Sequence, residues 1–86
     1  MTSKPGAAFV LYGRAWCHLC EDMRVELEPI AARHGVAIEW IDIDEDPALE
    51  AHYNELVPVL TLDGVELCRY RLAARAVLAA LEVHRP

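Results

Sequence analysis

The arrangement of apolar residues before position 44 leaves this chain few ways to fold. "AAFVLYG" is a short apolar run ended by Gly13, and "VAIEWIDI" carries β-branched and aromatic residues at Val36, Ile38, Trp40, Ile41 and Ile43. Both read as strands, the second nearly buried on both faces. Between them Leu19, Met23, Leu27, Ile30 and Ala31 recur at three- and four-residue steps. One helix is therefore expected from Cys17 to His34, with Gly35 as its stop. Pro29 removes a backbone bond inside that helix and should kink it without ending it. Strand, helix and strand in about 35 residues form a βαβ unit, which is right-handed and pairs its strands in parallel.

The second half obeys a different rule. Asp46 and Pro47 supply the N-cap and first residue of a short helix that Asn54 can end in a left-handed conformation. "VPVLTLDGVELCRY" then sets two apolar runs around Asp63-Gly64, a two-residue hairpin turn, so the last strands are antiparallel. A final helix is expected from about Leu72 to Val83. On a helical wheel Arg71, Arg75, Glu82 and Arg85 share one narrow wedge, which predicts that most of this helix is buried against the sheet.

Composition narrows the function classes. An 86-residue chain has material for one core, so residues 1–86 are expected to form a single domain. Apolar residues make up 55% of it and no polar tract interrupts them, which argues for a folded globule. Fourteen acidic residues against eight basic ones give a net charge of -6, which repels phosphate backbones and anionic lipid. Nucleic acid and membrane surfaces are thereby excluded as partners. No apolar run approaches the roughly 20 residues of a membrane span, and "MTSKPGAAFVLYG" lacks the apolar region and cleavage site of a signal peptide, so a cytoplasmic protein is expected. In that reducing compartment three cysteines do not make a structural disulfide framework, and a CxxC is catalytic or metal-binding.

"RAWCHLCED" holds that CxxC, at Cys17 and Cys20, where the first strand gives way to the helix. A dithiol carrier needs one thiolate that attacks and a second thiol near enough to displace it. Residues three apart on a helix face one side at roughly 5–6 Å, within the Cα separation a disulfide tolerates. The first cysteine also meets the unsatisfied amides of the helix end, which favour negative charge and should lower its pKa below about 8.5. Cys17 is thus the expected attacker. Glu21 and Asp22 oppose the depression, so it should be moderate.

At this point the chain resembles glutaredoxin-like proteins of the thioredoxin superfamily. The likeness is carried by the CxxC opening the first helix, "DIDEDP" before the short helix, and "VPVL" with "DG" in the closing hairpin, from about Phe9 to Leu81. It implies a thioredoxin-like α/β fold, a four-stranded mixed sheet flanked by three helices in the order βαβαββα. It also implies Cys17 as nucleophile, Cys20 as resolving thiol and Pro58 in cis beside them. Arg14 stands where a lysine often precedes a glutaredoxin CxxC and adds positive charge, while Trp16 would shield one flank as in thioredoxins. Two departures stand out. The Gly-Gly-x-Asp-like segment that holds a glutathione carboxylate in glutaredoxins is missing from "DGVELCRYRLAAR", and Leu11 occupies the place of the buried thioredoxin aspartate.

Each remaining residue has a plain reading beside the functional one. His18 either donates to the Cys17 thiolate and sets the redox potential or is a solvated residue on an exposed turn. His34, His52 and His84 read as inert surface residues, and Cys68 as a small buried hydrophobe. A proline opening an edge strand is common, yet Val57-Pro58 downstream of a CxxC favours a role in pairing the Val57 backbone with an extended thiol substrate. The leading reading is a thiol-disulfide oxidoreductase, a monomer with no bound metal or cofactor, acting on a disulfide in a protein or small molecule. Glutathione stays open as a substrate, weighed against by the missing segment and by Glu66, which would repel an anion if nearby. A metal or iron-sulfur module using Cys17, Cys20, Cys68 and a histidine, and a redox-inert adaptor that keeps only the fold, are the competing readings.

Overall fold

The computed structural model describes residues 8–83. His84, Arg85 and the leader reading of the first seven residues lie outside them. The order of elements is β1 (Ala8–Gly13), α1 (His18–His34), β2 (Ala37–Asp42), α2 (Pro47–Tyr53), β3 (Val59–Leu62), β4 (Val65–Arg69) and α3 (Ala74–Val83), with short 3-10 turns at Ile43–Glu45 and Asn54–Leu56. The strands form one sheet in the order β2-β1-β3-β4. β1 and β2 are parallel, as the βαβ reading requires, and β3 runs antiparallel to both β1 and β4.

Local chemistry sets the boundaries. Gly35 ends α1 at φ +66, a conformation that costs an L side chain about 1–2 kcal/mol. Its N–H donates to Ala32 O at 3.2 Å while Val36 N–H donates to Ala31 O at 2.9 Å, the paired bonds of a Schellman motif. α1 runs unbroken through exposed Pro29. Asp46 caps α2 through a 2.9 Å bond from Ala48 N–H to its carboxylate, with Pro47 as first residue. The β3–β4 hairpin turns on Asp63 (φ +52) and Gly64 (φ +88), as a type I′ turn demands.

Phe9 and Leu11 of β1, Leu60 and Leu62 of β3, Met23, Leu27 and Ala31 of α1, and Val77 and Leu81 of α3 form the main core. A second, smaller cluster of Cys20, Ile43 and Val57, flanked by Tyr12, Cys17, Leu49 and Tyr53, lies apart from it.

The structure corrects several expectations. β2 is not buried on both faces: it is an edge strand, exposed or half-exposed throughout, because β3 joins the far side of β1 and leaves β2 with one neighbour. Ile43, read as strand, starts a 3-10 turn and is fully buried there. α3 starts two residues later than expected, since Tyr70 at φ +71 and the Arg71 N–H bond to Arg69 O first reverse the chain. Only Val77 and Leu81 of α3 are buried; Leu78 is 41% and Val83 81% exposed, so most of the helix is not covered by the sheet. Asn54 takes positive φ but with ψ −107, outside the left-handed helical region. Finally, Pro58 opens an interior strand, not an edge: β3 lies between β1 and β4 and is buried throughout.

Candidate functional site

Cys17 and Cys20 are closed as a disulfide at a Cα separation of 5.2 Å. The chain reaches them through a sharp turn. Trp16 sits at φ +63, which swings its indole outward to full exposure (101%), so it stands beside the pair without packing on it. Cys17 is then not the first helical residue but the N-cap, with extended φ −108 and ψ 111. Its Sγ accepts a hydrogen bond from Cys20 N–H at 3.2 Å, the role an N-cap oxygen usually fills. Cys17 is half-buried, whereas Cys20 is only 1% exposed.

Around the pair lies a cavity of about 390 Å³ lined by Arg14, Ala15, Trp16, Cys17, His18, Cys20, Glu21 and Trp40. Five of the sequence-selected residues, Arg14, Trp16, Cys17, His18 and Cys20, thus share one depression. Val57 and Pro58 do not line it. Val57 packs in the same small cluster as Cys20, Pro58 is fully buried, and the Val57-Pro58 peptide bond is cis as expected.

Electrostatics at the rim differ from the sequence reading. Arg14 is not a free cation: its Nη2 donates to Asp44 Oδ1 at 3.0 Å, and its buried Nε has no hydrogen-bond partner among the described residues. Glu66, which lies on β4 and does not line the cavity, is compensated as well. Arg69 donates to it at 2.7 and 3.1 Å, and that contact holds its carboxyl below the usual range. Tyr53 stacks on Tyr12 with ring centroids 4.5 Å apart, and burial, followed by Tyr12, pushes its phenol up.

The third thiol is elsewhere. Cys68 is free and half-buried against the main core, where burial raises its pKa. A bulge in β4 leaves Leu67 without a partner between Cys68, opposite Leu60, and Glu66, opposite Thr61, and both Leu67 and Cys68 pack on that core. Cys68 therefore joins a different cluster from Cys17 and Cys20, and among the described residues no three His, Cys, Asp or Glu side chains are grouped to hold a metal. His34 and His52 are exposed on α1 and α2, His34 with Nδ1 3.0 Å from Ile30 O. Among the described residues no helix is long and apolar enough to cross a membrane.

Sequence reasoning missed two residues. Trp40 lines the cavity instead of a core, and it reaches the site because Gly13, at the end of β1, has no side chain. The signal was an aromatic on β2 and a glycine on β1, whose approach is unreadable without the strand order and register.

The same architecture occurs in known structures. Protein Ne2328 from Nitrosomonas europaea is 34% identical, with 93% of this chain and 96% of that one covered at a TM-score of 0.79. Target protein XcR50 from X. campestris is 35% identical, over 91% and 99% of the two chains, at 0.68. Thioredoxin 1 from Thermosipho africanus, 24% identical over 88% and 96% at 0.62, shares the fold. No curated protein matches the chain. The expected thioredoxin-like fold is therefore present, and with a family model matching residues 8–82 the chain belongs to the glutaredoxin-like domain family (DUF836).

Proposed function

We propose that this protein is a thiol-disulfide oxidoreductase that cycles Cys17 and Cys20 between dithiol and disulfide. One observation carries the reading: the half-exposed cysteine caps α1 and accepts an amide hydrogen bond, while its partner three residues on is buried against it. The amide that donates to the Cys17 sulfur favours its thiolate on reduction, because hydrogen bonds to charged groups are worth roughly 1.5–3 kcal/mol against about 1 for neutral ones. The Cys17 thiolate attacks one sulfur of a substrate disulfide, and the other sulfur leaves as a thiolate that takes a proton. The resulting mixed disulfide is broken when Cys20, giving up its proton, attacks Cys17 Sγ and expels the substrate's second thiol. Two electrons have then passed from the pair to the substrate, with one proton from Cys20 and one from solvent, the latter balancing the proton Cys17 lost on becoming a thiolate.

The rim supports a protein or small-molecule disulfide as substrate ahead of glutathione. Arg14, the basic residue nearest the pair in sequence, is committed to Asp44, and the other ionised side chain on the cavity wall is Glu21. Glutathione's two carboxylates therefore gain little there. A monomeric carrier in a reducing, cytoplasmic setting, where a CxxC is a working pair and not a staple, completes the proposal.

The test is to equilibrate the oxidised protein in dithiothreitol buffers, trap and count thiols, and follow reduction of insulin. Cys17 and Cys20 should appear together and insulin should be reduced, with slower turnover of a glutathione mixed disulfide than a dithiol glutaredoxin shows. A pair that closes but transfers no electrons to any disulfide would remove the reading.

A further inference from the structure

Trp40 belongs to neither hydrophobic cluster. It lies opposite Leu11 on an edge strand, 41% exposed, where a tryptophan adds little to the core. Its ring instead leans two residues forward, over Gly13. A methyl group placed on Gly13 would sit 2.5 Å from Trp40 Cη2, 2.8 Å from Cζ3 and 3.1 Å from Cys20 Sγ. The indole edge and the buried sulfur thus crowd around the same point, and the space they share exists because residue 13 has no Cβ. The outer part of Trp40 forms the cavity wall beside Cys17 and Cys20.

We propose that Trp40 is a positioning residue that closes the cavity side of Cys20, so that Cys20 meets the Cys17 sulfur while an incoming substrate sulfur meets Cys17. This deepens the exchange reading and rests on it. In the second step above, Cys20 must attack Cys17 Sγ and nothing else. A thiol open to the cavity would also accept external disulfides and form dead-end adducts.

The experiment uses a Cys17→Ser, Cys68→Ser background, in which Cys20 is the single thiol, and measures its alkylation by N-ethylmaleimide in the folded protein. Trp40→Ala removes the cover and Gly13→Ala displaces it, so each should raise the rate at least about tenfold, since access governs thiol reactivity. Trp40→Phe should restore most of the protection. Rates within about twofold of the parent in both Trp40→Ala and Gly13→Ala overturn the proposal. A second readout avoids those variants altogether. With all cysteines present, Trp16→Phe leaves Trp40 as the single indole, and reducing the adjacent disulfide, a quencher, should brighten its emission; unchanged emission overturns the proposal. Neither readout needs turnover. Loss of shielding without exchange on insulin would remove the oxidoreductase reading alone, and exchange without shielding would remove this proposal alone.

Discussion

The two ends of α1 solve one problem with different atoms. A helix leaves backbone groups unpaired at both termini. At the C-terminal end Gly35 and Val36 satisfy the carbonyls of Ala32 and Ala31 with backbone N–H groups, and nothing there can react. At the N-terminal end the capping atom is the Cys17 sulfur. The difference teaches that capping and chemistry are joined at one terminus and separate at the other. What stabilises the first turn of α1 is also what changes charge and bonding partner when the disulfide opens.

Replacing the sulfur tests this contrast most severely. In Cys17→Ser an oxygen that caps well replaces the sulfur, so far-UV circular dichroism of the reduced protein should be kept while insulin reduction falls to the level of the double Cys17→Ser, Cys20→Ser protein. Turnover above that background would break the contrast.

Cys68 is the internal control, a half-buried thiol on a strand, where burial outweighs the opposing backbone hydrogen bond with Ala73 just before α3. Burial raises its pKa, so little of it is thiolate at neutral pH and its fraction climbs only as the solution becomes more alkaline. Reduced protein treated with iodoacetamide at pH 7 should carry the label on Cys17 at least about tenfold faster than on Cys68, with the gap narrowing above pH 9. Peptide mapping of the label reads both rates. A Cys68 that outpaces Cys17 would mean the helix end confers no activation.

At the inert terminus, Gly35→Ala forces a side chain into positive φ and should lower the unfolding free energy by about 1–2 kcal/mol in urea. The reduction potential should move by less than about 10 mV, because 30 mV corresponds to roughly 1.4 kcal/mol between redox forms. A larger shift would show that the two ends are coupled. The smallest effect isolates the cap itself: under reducing conditions Cys17→Ala should be less stable than Cys17→Ser by about 0.5–2 kcal/mol, read from the same melts. Equal stability would mean that the bond from Cys20 N–H does no capping.

Much of this was legible because the signals are local. The span of α1, its Gly35 stop, the Asp46 cap and the Asp63-Gly64 turn each depend on residues within a few positions, and the structure keeps them all. The cysteine pair was legible for the same reason, since helix geometry alone sets the spacing. What was misread depends on which strand lies beside which. "VAIEWIDI" has apolar residues on both faces, but an edge position leaves Trp40 half in solvent and sends Ile43 into the small cluster under the pair. The same blindness offered an edge as the plain reading of Pro58 and left Arg14 a free charge beside the cysteines, where the fold pairs it with Asp44, thirty residues on. The apolar wheel of α3 promised more burial than a ten-residue helix on a four-stranded sheet can find.

The edge position of β2 has one more consequence. Among the described residues this strand pairs with β1 alone, so its other side is where a foreign strand would add. Glu39 and Asp42 lie along it. The two, three residues apart, point to opposite faces of the strand, and the Asp42 carboxylate turns back to accept from Asp44 N–H. An added strand therefore meets the exposed Glu39, and an acidic residue set opposite it would repel. The sheet thus carries its own guard against growth into a fibre.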